Sequence, residues 1–247
     1  MTDVARTDGS ADPRPPTRLV LLDFYGTLAR ATRWLSAETV LEEHGYELNP
    51  AARDEYLNGG IDGIEHPERS ISRDHYVAWQ RERTLAMLAA SDVHPAEREV
   101  ILEQLRAGAA DRRLEAYPET VEVLGALRAR GLRVVICSNW DWDLKEAVDD
   151  AGLTGHVDGM VSSAWAGARK PHPRIFETTL EQVGGDPSTT VFVGDTWRPD
   201  VEGPRALGLA PVYLRRDGHW PDATAPPDPA AHGVPVLPDL RGLLDLV

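Results

Sequence analysis

The sequence predicts an α/β protein with a doubly wound parallel sheet and a helical domain inserted after the first strand. Three observations carry that expectation. Short apolar runs rich in Val, Ile and Leu recur along the chain without polar alternation, as strands covered on both faces do. Helical patterns with recognisable ends separate them, and alternation of this kind builds a parallel sheet. One stretch, 31–112, breaks the rhythm and reads as helices alone.

Residues 1–17 carry charge, Gly and Pro but no apolar core segment, so they read as a disordered tail and not as a signal peptide. The first strand candidate is RLVLLDF, from Arg18 to Phe24. In the insertion, SAETVLEEHG, SRDHYVAWQRERTLAMLAA and HPAEREVILEQLRAGAADRR read as helices, with no strand expected among them. NGGIDG, 58–63, reads as a flexible connection between helices, with reach into a cleft as the alternative. The α/β core is assigned to 18–30 and 113–247, with hinges near Ala29–Arg33 and Arg112–Ala116.

After the insertion, PETVEVLGALRARG has Pro118 near its start, Val121, Leu124 and Leu127 on one stripe, and Gly131 as its stop. RVVICSN (133–139) and HVDGMVSS (156–163) are the next strand candidates. HPRIFETTLEQVGG is a second helix, bounded by Pro173 and Gly184, and TVFVGD (190–195) and PVYL (211–214) complete the strand set. Pro204 is tolerable in the first turn of a helix and otherwise implies a late start or a kink. The Pro-rich end and RGLLDLV are expected to wrap back onto the core, without chemistry.

Composition narrows the function. Forty acidic against 26 basic side chains give a formal charge of −14, a field that repels nucleic-acid backbones and anionic lipid surfaces. No segment is apolar and long enough to read as a membrane span. The one cysteine, Cys137, lies in an apolar run and reads as a buried thiol in a reducing compartment, the cytoplasm. His172, His219 and His232 have no metal-ligand spacing.

Polar residues gather at the ends of the strand candidates. Asp23 ends the first, Ser138 and Asn139 the second; Lys170 follows the third, and Asp195 closes the fourth with Asp200 five residues on. In a parallel sheet these ends share one rim, where ligands bind, so three carboxylates, a lysine and a hydroxyl should converge. Taken singly, each has a plainer role as a turn or helix cap or a solvated charge, Asp200 included.

Asp23-Phe24-Tyr25-Gly26-Thr27-Leu28, then Ser138, then Lys170-Pro171, then Gly194-Asp195 with Asp200, resembles in order the four motifs of the haloacid dehalogenase-like (HAD) hydrolase superfamily, and the insertion resembles its helical, C1-type cap. The resemblance spans Arg18 to about Leu214. It implies Asp23 as nucleophile, with Thr27 and Ser138 holding the transferred group and Lys170 neutralising charge. It further implies Mg2+ bound by Asp23, the Tyr25 carbonyl and Asp195, with Asp200 in support.

Tyr25 departs from the phosphatases of that superfamily, which carry there a second aspartate that protonates the leaving group. A phenol with a pKa near ~10 is a poor general base at neutral pH. Asp-x-Tyr-Gly-Thr-Leu resembles instead the metal-free 2-haloacid dehalogenases, whereas Phe176, in place of their usual tyrosine, and Gly194-Asp195-Thr196, in place of their Ser-x-Asn, do not. Three clustered carboxylates against one lysine call for a counter-ion. The expectation is therefore a Mg2+-dependent phosphatase preferring good leaving groups, with a 2-haloacid dehalogenase second and a non-catalytic binding protein third.

The expected partner is a small anionic substrate, bound by a monomer or homodimer. Asn139, Trp140 and Trp197 are expected to contact it, with Trp142 and Trp165 as further aromatics near the rim. Arg33, His66, Arg69, Arg73 and His75 are candidates from the insertion, against a plainer reading as a solvated face with internal charge pairs.

Overall fold

The computed structural model describes residues 15–57, 61–218 and 221–247. Most of the tail assignment, Asn58–Gly60 of the NGGIDG loop and His219 lie outside the described residues. Within them, the strands are β1 (Leu19–Leu22), β2 (Ala29–Arg33), β3 (Arg113–Ala116), β4 (Arg133–Ser138), β5 (Gly159–Ser162), β6 (Thr190–Gly194), β7 (Ala210–Leu214) and β8 (Val236–Leu237). The α-helices are α1 (Ala37–Glu43), α2 (Pro50–Tyr56), α3 (Arg73–Ala90), α4 (Arg98–Ala110), α5 (Thr120–Ala129), α6 (Leu144–Asp150), α7 (Ser163–Ala166), α8 (Pro173–Val183) and α9 (Gly203–Ala206).

Six strands form one parallel sheet in the order β5-β4-β1-β6-β7-β8. Successive side chains of a strand face opposite sides, so strands covered on both faces must be apolar throughout. Val20, Leu22, Val134, Ile136, Val191 and Val193 pack one face against Val123, Leu124 and Leu127 of α5 and Ala147 and Val148 of α6. Leu19, Leu21, Val135, Cys137 and Phe192 pack the other against Ile175, Phe176 and Leu180 of α8. Phe176 lies edge-on to Phe192 with centroids 5.5 Å apart.

The insertion departs from the sequence expectation at its two ends. β2 and β3 pair antiparallel as a separate ribbon, so the chain leaves and re-enters the core side by side. The expectation of no strand within 31–112 is corrected here, because β2 runs to Arg33. Between the strands of this ribbon, α1 to α4 bury Val40, Leu41, Ala52, Met87, Leu88, Ile101 and Leu102 in a cluster of their own. Ser36 caps α1 by accepting the Thr39 N–H, and Ser72 caps α3 by accepting that of His75. Pro204 sits in the first turn of α9, and the C-terminal segment returns to add β8 and bury Leu240 and Leu243 in the core.

Segment 63–66 of the insertion runs along residues 167–170 of the core. Gly63 N–H donates to the Lys170 carbonyl (3.2 Å), Arg169 N–H to that of Ile64 (3.0 Å), and His66 N–H to that of Gly167 (2.6 Å). Further along the same junction, Tyr76 Oη donates to Asp141 (2.8 Å). Among the described residues, no helix is long and apolar enough to cross a membrane.

Candidate active site

The sheet order changes direction at β1, with β4 on one side and β6 on the other, and a crevice opens there at the carboxyl ends of the strands. The registers place Leu22 level with both Ile136 and Val193, so Asp23, Ser138 and Asp195 follow on one rim. Asp23 is held there by its N–H, which donates to the Val193 carbonyl (2.9 Å).

Four charged side chains meet at this rim, all buried. Lys170 Nζ donates to Asp23 Oδ1 and to Asp200 Oδ1, each at 2.6 Å, and Ser138 Oγ donates to the same Asp23 oxygen at 2.9 Å. Asp23, Asp195 and Asp200 can each offer an oxygen within 4.8 Å of the others, the geometry of a metal-ligand cluster. Burial, reinforced by the Asp23 and Asp195 charges, raises Asp200 above the usual carboxylate range although Lys170 opposes it. Burial works to lower Lys170, but Asp200 and Asp23 outweigh it and keep the ammonium protonated. Three carboxylates crowded about one lysine concentrate negative charge in a buried place, which a divalent ion with oxygen ligands fits.

Local backbone makes room for that crowding. After Asp23 the chain closes a tight turn in which Gly26 N–H donates to the Ala29 carbonyl (2.8 Å). Gly26 has φ +87°, and a Cβ there would stand 2.4 Å from Asp195 Oδ2. Gly194 is under the same constraint, since its Cβ would lie 2.3 Å from Asp200 Cγ. The turn Arg198–Glu202 is wide, π-helical, and directs Asp200 back so that its Oδ2 accepts the Thr196 N–H (3.0 Å). Asp200 therefore caps the turn that precedes it while its other oxygen meets Lys170.

Thr27 touches the cluster directly, and Asn139 acts on it through the Lys170 backbone. The Thr27 hydroxyl donates to Asp195 Oδ1 (3.0 Å), and so orients a carboxylate. Asn139 brackets the Lys170 backbone: its Oδ1 accepts the Lys170 N–H (2.6 Å) and its Nδ2 donates to the Lys170 carbonyl (3.0 Å). Its Nδ2 also donates to Asp62 Oδ1 (3.0 Å), a carboxylate from the insertion.

Tyr25 turns away from acid chemistry. Its ring lies against Trp34 (5.4 Å between centroids) and Trp140 (6.2 Å), and its phenol takes a backbone hydrogen bond from Ala31. Burial, with the Asp195 charge adding to it, raises the phenol above its ordinary value. Trp140 is buried behind Tyr25, edge-on to Phe24, with Nε1 on Asp143 (3.1 Å). The Trp197 ring packs into a separate cluster with Val201, Tyr213 and Val234, and its Nε1 donates to Glu202. A tryptophan that follows a strand end need not face the rim. Trp142 and Trp165 meet each other instead, Trp165 Nε1 donating to the Trp142 carbonyl (3.0 Å).

Of the five insertion candidates, His66 alone is buried at the junction with the core. Arg33 pairs with Asp111, Arg69 reaches Glu68 and Glu82, and His75 bonds Ser72, all on exposed faces, as the plainer reading expects. Arg73 lines a groove of about 280 Å³ between α3, α4 and residues 141–143, whose lining does not include Asp23, Asp195 or Asp200.

Sequence reasoning missed two supports of the site. Arg216 donates to the carbonyls of Gly26 (3.3 Å) and Thr27 (2.7 Å), pairs with buried Glu119 (2.6 Å) and covers the Tyr117 ring at 3.6 Å, so it pins the turn after Asp23. Glu119 and Arg216 are 97 positions apart, and no local pattern links them. Asp62 is the other, on the NGGIDG loop, for which reach into a cleft is only the alternative to a plain helix connection.

The sequence model described as haloacid dehalogenase-like hydrolase matches residues 17–208. The chain is 28% identical to the human haloacid dehalogenase-like hydrolase domain-containing protein 3 over 241 residues, 92% of this chain and 94% of that protein. It is 28% identical to the phosphoglycolate phosphatase of Aquifex aeolicus, covering 84% and 91% of the two chains. It is 27% identical to (S)-2-haloacid dehalogenase 1 of a Pseudomonas species, covering 81% and 86%.

Proposed function

The chain belongs to the haloacid dehalogenase-like hydrolases, and from that premise we propose that it is a Mg2+-dependent phosphatase of small phosphorylated metabolites, with Asp23 as nucleophile. The observation that carries this reading is the cluster of negative charge: three buried carboxylates within 4.8 Å, with the Lys170 ammonium bonded to two of them. Asp23, Asp195, Asp200 and the Tyr25 carbonyl would hold the cation. When bound, it would supply positive charge to the phosphoryl oxygens and let an anionic nucleophile approach an anionic ester.

The protein's own groups do the rest. Asp23 attacks phosphorus, the bond to the leaving oxygen breaks, and water then cleaves the aspartyl phosphate. Lys170 and Ser138 hold one oxygen of Asp23 and fix its direction of attack, while Lys170 also restrains Asp200. Asn139 sets Lys170 through its backbone, and Thr27 sets Asp195. The helical insertion acts as a cap whose docking excludes water from the ester. The cytoplasmic setting inferred from Cys137 belongs to the same proposal.

The test is hydrolysis of p-nitrophenyl phosphate with Mg2+ and with chelator, using Asp23→Asn as the control. Nitrophenolate leaves without a proton, so an absent acid cannot hide a competent site. Mg2+-dependent release that disappears in Asp23→Asn supports the reading, and no turnover by folded protein refutes it.

One observation favours a second reading. Tyr25, Trp34 and Trp140 pack as a group of three rings beside the nucleophile's turn, an apolar setting that suits attack on a carbon centre where no phosphate must be accommodated. Chelator-resistant halide release from a 2-haloacid would establish dehalogenation in place of phosphoryl transfer.

A further inference from the structure

An ester whose leaving group is a poor anion needs a proton on the departing oxygen, and the water that follows must lose one. On the phosphatase reading, on which this inference rests, such a group must stand near Asp23. Asp195, Asp200 and Lys170 are bound up in the charge balance of the cluster. Tyr25 takes a hydrogen bond from Ala31, and the Tyr117 ring lies under Arg216. His66 has Nδ1 on Ser70 (3.1 Å) and its ring packed on Trp79 (4.6 Å), 2% exposed.

Asp62 remains. It comes from the insertion, yet its carboxylate meets Asn139 Nδ2 at 3.0 Å, on the side chain that brackets the Lys170 backbone. The next residue, Gly63, donates its N–H to the Lys170 carbonyl, so Asp62 is fixed beside the rim by backbone as well. Its contacts with Asn139 and with Arg169 (3.6 Å) both fall on Oδ1. Oδ2 has no partner among the described residues, and the side chain keeps 16% exposure, so it is not sealed from an entering ligand.

We propose that Asp62, delivered by the helical insertion, is the proton donor and acceptor of the reaction, in the role that Tyr25 cannot fill. In the first step Asp23 forms a bond to phosphorus, the ester bond breaks, and the Asp62 proton goes to the leaving oxygen. Alcohol, aspartyl phosphate and the Asp62 carboxylate result. In the second, the Asp62 carboxylate takes a proton from water as the water oxygen bonds to phosphorus. The bond to Asp23 breaks, inorganic phosphate is released and Asp62 is again protonated. The acid is in place only while the insertion is docked, which couples closure to chemistry.

Burial raises the Asp62 carboxyl above its ordinary value, while Arg169, Lys170 and Arg198, the cations that face it, oppose the rise. The uncharged Asn139 amide also stabilises the carboxylate. The direction favours retention of a proton for donation.

The experiment compares wild type, Asp62→Asn and Asp62→Glu, as full chains with Mg2+, on p-nitrophenyl phosphate and on phenyl phosphate, whose phenol is a much weaker acid. In Asp62→Asn the loss of kcat on phenyl phosphate should exceed that on p-nitrophenyl phosphate by about tenfold or more, within the range of general acid catalysis. Its alkaline decline in kcat should disappear, and Asp62→Glu should recover part of the difference. Equal losses on both substrates, or a change confined to KM, would overturn the proposal and leave Asp62 as a docking contact. Absence of any Mg2+-dependent p-nitrophenyl phosphate hydrolysis in the wild type would instead count against the phosphatase reading itself.

Discussion

Acid should loosen the junction between insertion and core through His66, and the size of the effect follows from its surroundings. The ring is 2% exposed, lies 4.6 Å from the Trp79 ring, and has no partner at Nε2 among the described residues. Burial, together with the Arg169 and Arg83 cations, lowers its pKa from 6.5 to about 4. Between those values the unfolded chain binds a proton that the folded chain refuses, so stability is present above the unfolded value and is lost as pH falls toward the folded one. From pH 7 to pH 5 that difference amounts to about 2 kcal/mol, and the full shift to about 3 kcal/mol. Carboxylates contribute their own acid sensitivity, so the informative quantity is the difference between wild type and His66→Gln in urea unfolding at several pH values. The variant should lose about 2 kcal/mol less than wild type over that interval. Parallel losses in the two proteins would show that His66 is free to protonate in the fold, and the account of the junction would fail.

Gly26→Ala forces a Cβ to within 2.4 Å of the Asp195 carboxylate at a φ of +87°. It should abolish both Mg2+-dependent hydrolysis and the rise in melting temperature on adding Mg2+, read by calorimetry. Arg216→Met leaves Glu119 buried and unpaired, and should cost about 3–5 kcal/mol in urea unfolding; adding Glu119→Gln should return part of it. The Cys137 thiol, fully buried and pushed up to about 11 by that burial, should resist a thiol reagent at pH 8 in the folded protein and react once per chain after denaturation.

The parts of this molecule that a reader of the sequence can see are those written locally. β1, β4 and β6 are buried on both faces, so their apolar runs announce them, and the polar residue that stops each run marks the rim. The order of those residues also carries the family resemblance that the sequence model bears out. β2 and β3 escape notice because ARATR and RLEA are mostly exposed and charged, and only their pairing makes them strands. β8 is two residues long and exists because β7 offers an edge. The Trp197 ring packs with Val201, Tyr213 and Val234, a placement the sequence does not show, since it gives a tryptophan's place along the chain but not the side to which its ring turns. Asp62 lies on the loop for which reach into a cleft stands as the alternative, but its partner Asn139 is written 77 positions away, and the Glu119–Arg216 pair likewise takes its meaning from contacts between distant segments.

The central claim is a phosphoryl group carried on Asp23, and acid quenching during turnover of p-nitrophenyl phosphate, followed by peptide mass spectrometry, tests it most directly. The account predicts a phosphoryl adduct on the peptide that contains Asp23, formed with Mg2+ and absent with chelator. Rapid turnover with the adduct on another residue, or an Asp23 ester formed from a 2-haloacid without metal, would contradict it.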